Sequence, residues 1–123
     1  MVCSERYGYA GTFDLYGKLR GRRALIDVKT GTYVAPEHGL QLAAYGAADF
    51  IGKPGLTDRW RIPEIDLYAV LQLNADGYRL IPYAVTRATF TAFLAALELY
   101  RWTKAEGRRI AGQDLVEGTL AVA

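Results

Sequence analysis

The sequence holds one cysteine, Cys3, and one histidine, His38, in 123 residues. A lone cysteine leaves no internal disulfide and no four-cysteine zinc or iron–sulfur site within the chain. No Ser–His–Asp pattern forms around His38, and neither G-x-G-x-x-G nor G-x-x-x-x-G-K-[ST] occurs, so dinucleotide and P-loop chemistry find no support. No apolar run approaches the roughly 20 residues of a membrane helix, and the opening residues lack the apolar segment of a secretory signal. The expectation is a cytoplasmic protein with no membrane partner. Low-complexity segments and internal repeats are also missing. What is present is ordinary globular usage, 51% hydrophobic and 23% charged. The length fits one domain over residues 1–123.

The formal net charge of +2 conceals clustering. Lys18, Arg20, Arg22 and Arg23 fall together with no acid between them, and Arg101, Lys104, Arg108 and Arg109 form a second group. Solvated surface explains both, and so do contacts to a phosphate backbone.

Along the chain, residues 7–19 are rich in Tyr, Phe, Thr and Leu and read as extended, with Gly8 or Gly11 able to divide them into two strands. Gly21 marks a hairpin turn and residues 23–29 return as a strand. Pro36 opens a helix running to about Ile51, stopped by Gly52-Lys53-Pro54-Gly55. Residues 56–63 are a connector, residues 65–73 and 78–85 a second strand pair around Asn74-Ala75-Asp76-Gly77, and Thr86 caps a last helix reaching about Gly107. Phe90, Phe93, Leu94, Leu97 and Tyr100 recur at helical spacing as its buried stripe. Strands, helix, strands, helix give a mixed α/β layout.

Asp14 and Asp27 each sit in strand-like sequence, where Asp is uncommon. Ile26 and Val28 are apolar, so alternation puts Asp27 and Lys29 on the opposite face, and the Gly21 hairpin can bring Asp14 beside them. A cross-strand salt bridge is the simplest reading of Asp27 and Lys29. Two close carboxylates repel, however, and need a shared proton or a cation, which a hard divalent metal supplies. On the helix, His38, Gln41 and Tyr45 share one face.

Gly11-Thr12-Phe13-Asp14, Ile26-Asp27-Val28-Lys29-Thr30-Gly31 and Gln41-Leu42-Ala43-Ala44-Tyr45 resemble, in order and spacing, the G-x-x-D, D-x-K-T and Q-x-x-x-Y motifs of RecB-type nucleases in the PD-(D/E)XK superfamily. The resemblance covers residues 7–51 closely and the remainder in layout. It implies a restriction-endonuclease-like core, a mixed sheet flanked by helices, and Mg²⁺- or Mn²⁺-dependent hydrolysis of DNA, exonuclease-like and of phage or repair type. By position, Asp14, Asp27 and the Val28 carbonyl are implied metal ligands, Lys29 the residue that orients water or stabilises charge, and Gln41 and Tyr45 the residues that position DNA or the catalytic groups. Lys18, Arg20, Arg22 and Arg23 are expected to form a basic rim around the acids.

The family usually places a helix, often with a further acid or His, before the first strand. Residues 1–6 offer no such helix, and Glu5 is the available replacement ligand. An uncovered sheet face predicts a homodimer or larger symmetric assembly, with the tail 111–123 (Leu115, Val116, Leu120, Val122) extended or swapped. A catalytically weak nucleic-acid-binding or assembly module is the competing function.

Overall fold

A computed structural model describes residues 1–120; Val122 of the apolar tail lies outside them. The core element is a four-stranded mixed sheet in the order β3-β4-β7-β8. It is built from β3 (Leu15–Leu19), β4 (Arg22–Thr30), β7 (Leu67–Asn74) and β8 (Gly77–Tyr83). The β3–β4 hairpin closes on Leu19 and Arg22. Arg20 (φ 50°) and Gly21 (φ 78°) both have left-handed backbone, the conformation of a tight hairpin turn whose twist matches that of the strands. β4 then pairs in parallel with β7, Asp27 opposite Val70 and Lys29 opposite Gln72.

A parallel pair needs a long crossover. Here it contains helix α1 (His38–Gly46) and two of the four strands of a second sheet, of order β2-β1-β5-β6. That sheet joins β1 (Val2–Ser4), β2 (Tyr9–Gly11), β5 (Phe50–Gly52) and β6 (Arg59–Trp60). One apolar cluster, including Val2, Leu25, Leu42, Tyr45 and Val70, spans both sheets and α1. The long second helix, α2 (Arg87–Trp102), packs on α1 and continues through a π-helical turn, Thr103–Gly107, into a single short helical turn, Arg108–Ile110. At its start the Thr86 N–H donates to Thr89 Oγ1 at 3.0 Å, as expected of a capped terminus.

Three expectations are corrected. The first helix ends at Gly46, not near Ile51. Asp49 leaves the helical path because its carboxylate accepts the Glu5 and Arg6 N–H groups at 2.8 and 3.1 Å, and its own N–H donates to the Cys3 carbonyl at 2.8 Å. Phe50 and Ile51 then pair with β1. Residues 2–4, which gave no strand signal of their own, become the central strand of the small sheet because β2 and β5 flank them. The stripe on α2 is shallower than its periodicity suggests. Phe90, Phe93, Leu94 and Leu97 are half-buried and Tyr100 is exposed, since α2 is the outer layer. Phe90 and Phe93 meet Tyr7 and Tyr9 edge-on, with centroids 5.6 and 5.0 Å apart.

Both helices lie on the Asp27 face of the main sheet. The opposite face carries apolar residues from every strand, among them Leu15, Ile26, Leu71 and Leu80, and no described element covers it. No helix among the described residues is long and apolar enough to cross a membrane.

The open end of the parallel pair is held by charge. Arg23 meets Asp66 through two guanidinium hydrogen bonds, 2.9 and 3.1 Å, and a backbone N–H bond of 2.9 Å. Asp66 returns its own N–H to the Arg23 carbonyl at 2.8 Å. These bonds to Arg23 hold the Asp66 carboxyl down at about 2, against about 3.9 in an unfolded chain. Because the folded value is the lower one, the stabilisation is complete above the unfolded value and is lost as pH falls toward the folded one. Asp66→Asn is therefore expected to be less stable than the parent at pH 5, the gap closing between about pH 4 and pH 2. Urea unfolding across that range measures it, and a pH-independent gap would contradict it.

Candidate metal and active site

The site forms where β4 leaves the β3 edge and passes beneath α1. β3 pairs with β4 only as far as Leu15 and Ile26. Asp14 stands in the bend just before β3, not inside a strand as its flanking sequence suggests. Its Oδ2 accepts the Val28 N–H at 2.8 Å, taking the place of a strand carbonyl. In an extended strand the N–H and C=O of one residue point to the same side, so the Val28 carbonyl faces the same edge as Asp14.

Asp27 points to the α1 side and is 3% exposed. Its Oδ2 lies 3.0 Å from Lys29 Nζ, but without the alignment of a hydrogen bond, so this buried oxygen has no donor. Burial raises the Asp27 pKa above the ordinary carboxylate value, the Lys29 ammonium opposes that, and the neighbouring Asp14 adds to the rise. Lys29 Nζ donates to Gln41 Oε1 at 3.0 Å, and Gln41 Nε2 donates to the Tyr45 hydroxyl at 2.6 Å. The spacing of Gln41 and Tyr45, one turn apart on α1, makes this relay possible.

Tyr45 is anchored by its ring. A Cβ on Gly11 would lie 2.8 Å from Tyr45 Cε1, so only glycine admits the ring at this point of β2. The first and third motifs thus touch each other, a contact that strand and helix patterns do not reveal.

The structure therefore gathers Asp14, Asp27, Val28, Lys29, Gln41 and Tyr45. Other candidates lie elsewhere. The His38 Nδ1 accepts the Ala35 N–H at 3.3 Å, closing the turn that opens α1, and His38 does not join the relay. Glu5 pairs with Arg59 on the small sheet. Among the described residues no group of three or more His, Cys, Asp or Glu side chains could hold a metal ion together. The basic hairpin does not rim the acids. Arg22 precedes Asp27 by five positions on β4, about 17 Å of strand, and Lys18, Arg20 and Arg23 flank that same distant end. Arg23 is moreover committed to Asp66 and Glu64.

Sequence reasoning missed Gln72 and Tyr83. Gln72, 2% exposed, shares the row of Lys29, and its Nε2 donates to the Gly31 carbonyl at 3.0 Å. The Tyr83 hydroxyl donates to the Ala35 carbonyl at 2.7 Å. Together they pin the loop that carries the chain from Lys29 to Gln41. A glutamine in an otherwise apolar central strand was the available signal.

The donor set is two carboxylates and an edge carbonyl, hard oxygens that suit Mg²⁺ or Mn²⁺. A buried carboxylate oxygen with no donor, next to a second carboxylate, fits a cation at this point. Comparison of the sequence with known protein-family models finds no match, and comparison with curated proteins finds none.

Asp14→Asn separates a metal site from a salt bridge. The Asn amide oxygen still accepts the Val28 N–H while the repulsion on Asp27 disappears. Melting temperature is expected to hold or rise by a few degrees, whereas calorimetric Mn²⁺ binding should weaken by about 1.4 kcal/mol or more, tenfold in affinity. A fall in melting temperature with unchanged Mn²⁺ binding would point to a purely structural role.

Proposed function

We propose that this chain is a Mg²⁺- or Mn²⁺-dependent DNA nuclease of the RecB-type PD-(D/E)XK class, exonuclease-like, with a restriction-endonuclease-like core. The observation that carries the reading is the buried Asp27 Oδ2, which has Lys29 at 3.0 Å and no hydrogen-bond donor. The order of elements supports it as well: hairpin, crossover helix, parallel strand, hairpin, with the three motifs meeting at one end of β4.

Asp14, Asp27 and the Val28 carbonyl hold the cation in this reading. When bound, a divalent cation supplies a bound water of lowered pKa and neutralises charge on the phosphoryl group. The protein's own side chains do the rest. Lys29 places a fixed ammonium beside the acids, where negative charge grows on the phosphate oxygens. Its side chain is 29% exposed, open enough to meet a substrate. Gln41 fixes the Lys29 rotamer, and Tyr45, buried and with its hydroxyl engaged, acts through Gln41 instead of touching DNA.

One observation favours a second reading, a weakly catalytic nucleic-acid-binding module: only two carboxylates meet at the site. Incubation with labelled single- and double-stranded DNA, with Mg²⁺, with Mn²⁺ and with chelator, decides between them. Metal-dependent cleavage supports the nuclease, and binding without cleavage supports the module.

If the nuclease reading holds, Asp27→Ala abolishes metal-dependent cleavage. Lys29→Met lowers the single-turnover rate by about 10²–10³, the usual cost of one lost charge-stabilising donor. Tyr45→Phe keeps the ring against Gly11 and removes only the acceptor of Gln41. Its rate is expected to fall about tenfold, or about 1.4 kcal/mol, with little change in melting temperature. Parallel losses of rate and melting temperature would reduce Tyr45 to a packing residue.

A further inference from the structure

The bare face of the main sheet has a shallow trough. A small residue, Ala69, forms its floor, 1% exposed because larger neighbours stand around it. Leu19, Leu67, Leu80 and Pro82 line it, with Arg20 and Arg22 at one end. Leu80 is 39% exposed although it stands opposite Leu71 and between Tyr78 and Pro82 on its strand. A contiguous exposed apolar surface with charged residues at its rim has the character of a contact surface.

The same chain carries an unplaced apolar segment. Residues 111–120 have no regular structure, and Leu115, Val116 and Leu120 are 98%, 91% and 89% exposed. Asp114 and Glu117 bracket the Leu115-Val116 pair. The pattern, an apolar pair between two acids, is the complement of an apolar trough with two arginines at its end. The segment leaves from the helix layer, on the other side of the sheet from the trough, and rests on neither.

We propose that the trough is the docking site for the segment around residues 114–120 of a second copy of this chain, exchanged reciprocally in a two-fold dimer. Each partner contributes one trough and one segment, so the contact is made twice. Leu115 and Val116 lie over Ala69, between Leu67 and Leu80, and Asp114 and Glu117 meet Arg20 and Arg22. An isologous arrangement of this kind closes at two copies. The inference stands independently of the nuclease reading.

The test reverses the charges separately. Chain one carries Arg20→Glu and Arg22→Glu; chain two carries Asp114→Arg and Glu117→Arg. All four positions are exposed, and circular dichroism checks that each variant is folded. Light scattering at micromolar concentration should find the parent dimeric. Each variant alone should be monomeric, its dissociation constant raised by at least about tenfold for each pair turned repulsive. Mixed, the two variants should form a one-to-one dimer, because both of its trough-and-segment contacts again join opposite charges. A monomeric parent, including one whose segment folds onto its own sheet, would overturn the proposal. So would variants that stay dimeric alone, which would mean that the faces meet directly, or a mixture that fails to associate.

Discussion

The parallel pairing of β4 with β7 is the constraint on which the rest of the molecule turns. Two neighbouring strands that run the same way cannot be joined by a tight turn. The chain must leave the sheet, and α1 occupies that detour, packed across the face that holds Leu25, Asp27 and Lys29. The helix therefore delivers Gln41 to Lys29 as a result of topology. The detour also supplies β5 and β6, which complete the small sheet with β1 and β2 from the start of the chain, and β2 brings Gly11 against Tyr45. Arg23 and Asp66 fasten the pair at its beginning, and Gln72 and Tyr83 fasten the loop at its end. The site lies between these two fastenings.

That arrangement explains how a carboxylate with so little exposure is tolerated. Moving Asp27 out of water costs free energy that one ammonium at an unfavourable angle only partly offsets. The Asp14 charge nearby adds to the cost. A protein selected for stability alone has cheaper residues for this position. Local unfavourable chemistry supported by a well-packed surround is the usual character of a functional centre.

Much of this was legible in the sequence, for definable reasons. Gly21 announced its turn, because glycine accepts left-handed backbone without strain, whereas the left-handed Arg20 beside it had no signal of its own. Alternation around Ile26 and Val28 gave the face of Asp27 and Lys29, and helical spacing joined Gln41 to Tyr45. What stayed hidden depended on partners distant in the chain. Val2–Ser4 is a strand only because two others flank it. Asp49 ends the helical path through bonds to Glu5 and Arg6, more than forty residues earlier. The hairpin arginines illustrate a different failure. Charge clustering along a sequence says nothing about which end of a strand the charges occupy, and these lie at the far end from the acids.

The bond between Asp14 and the Val28 N–H has a consequence for how occupancy of the site can be sensed. The carboxylate that would be drawn toward a cation is also the last rung holding β4 to the β3 edge. If the cation pulls Asp14 away from the amide, that rung loosens. If it engages the free lone pairs and stiffens the carboxylate, the rung tightens. In both cases a single backbone proton, set between two candidate ligands, registers the event. Under the proposed reading, the protection of the Val28 amide against solvent deuterium would report a cation at this point without substrate and without turnover.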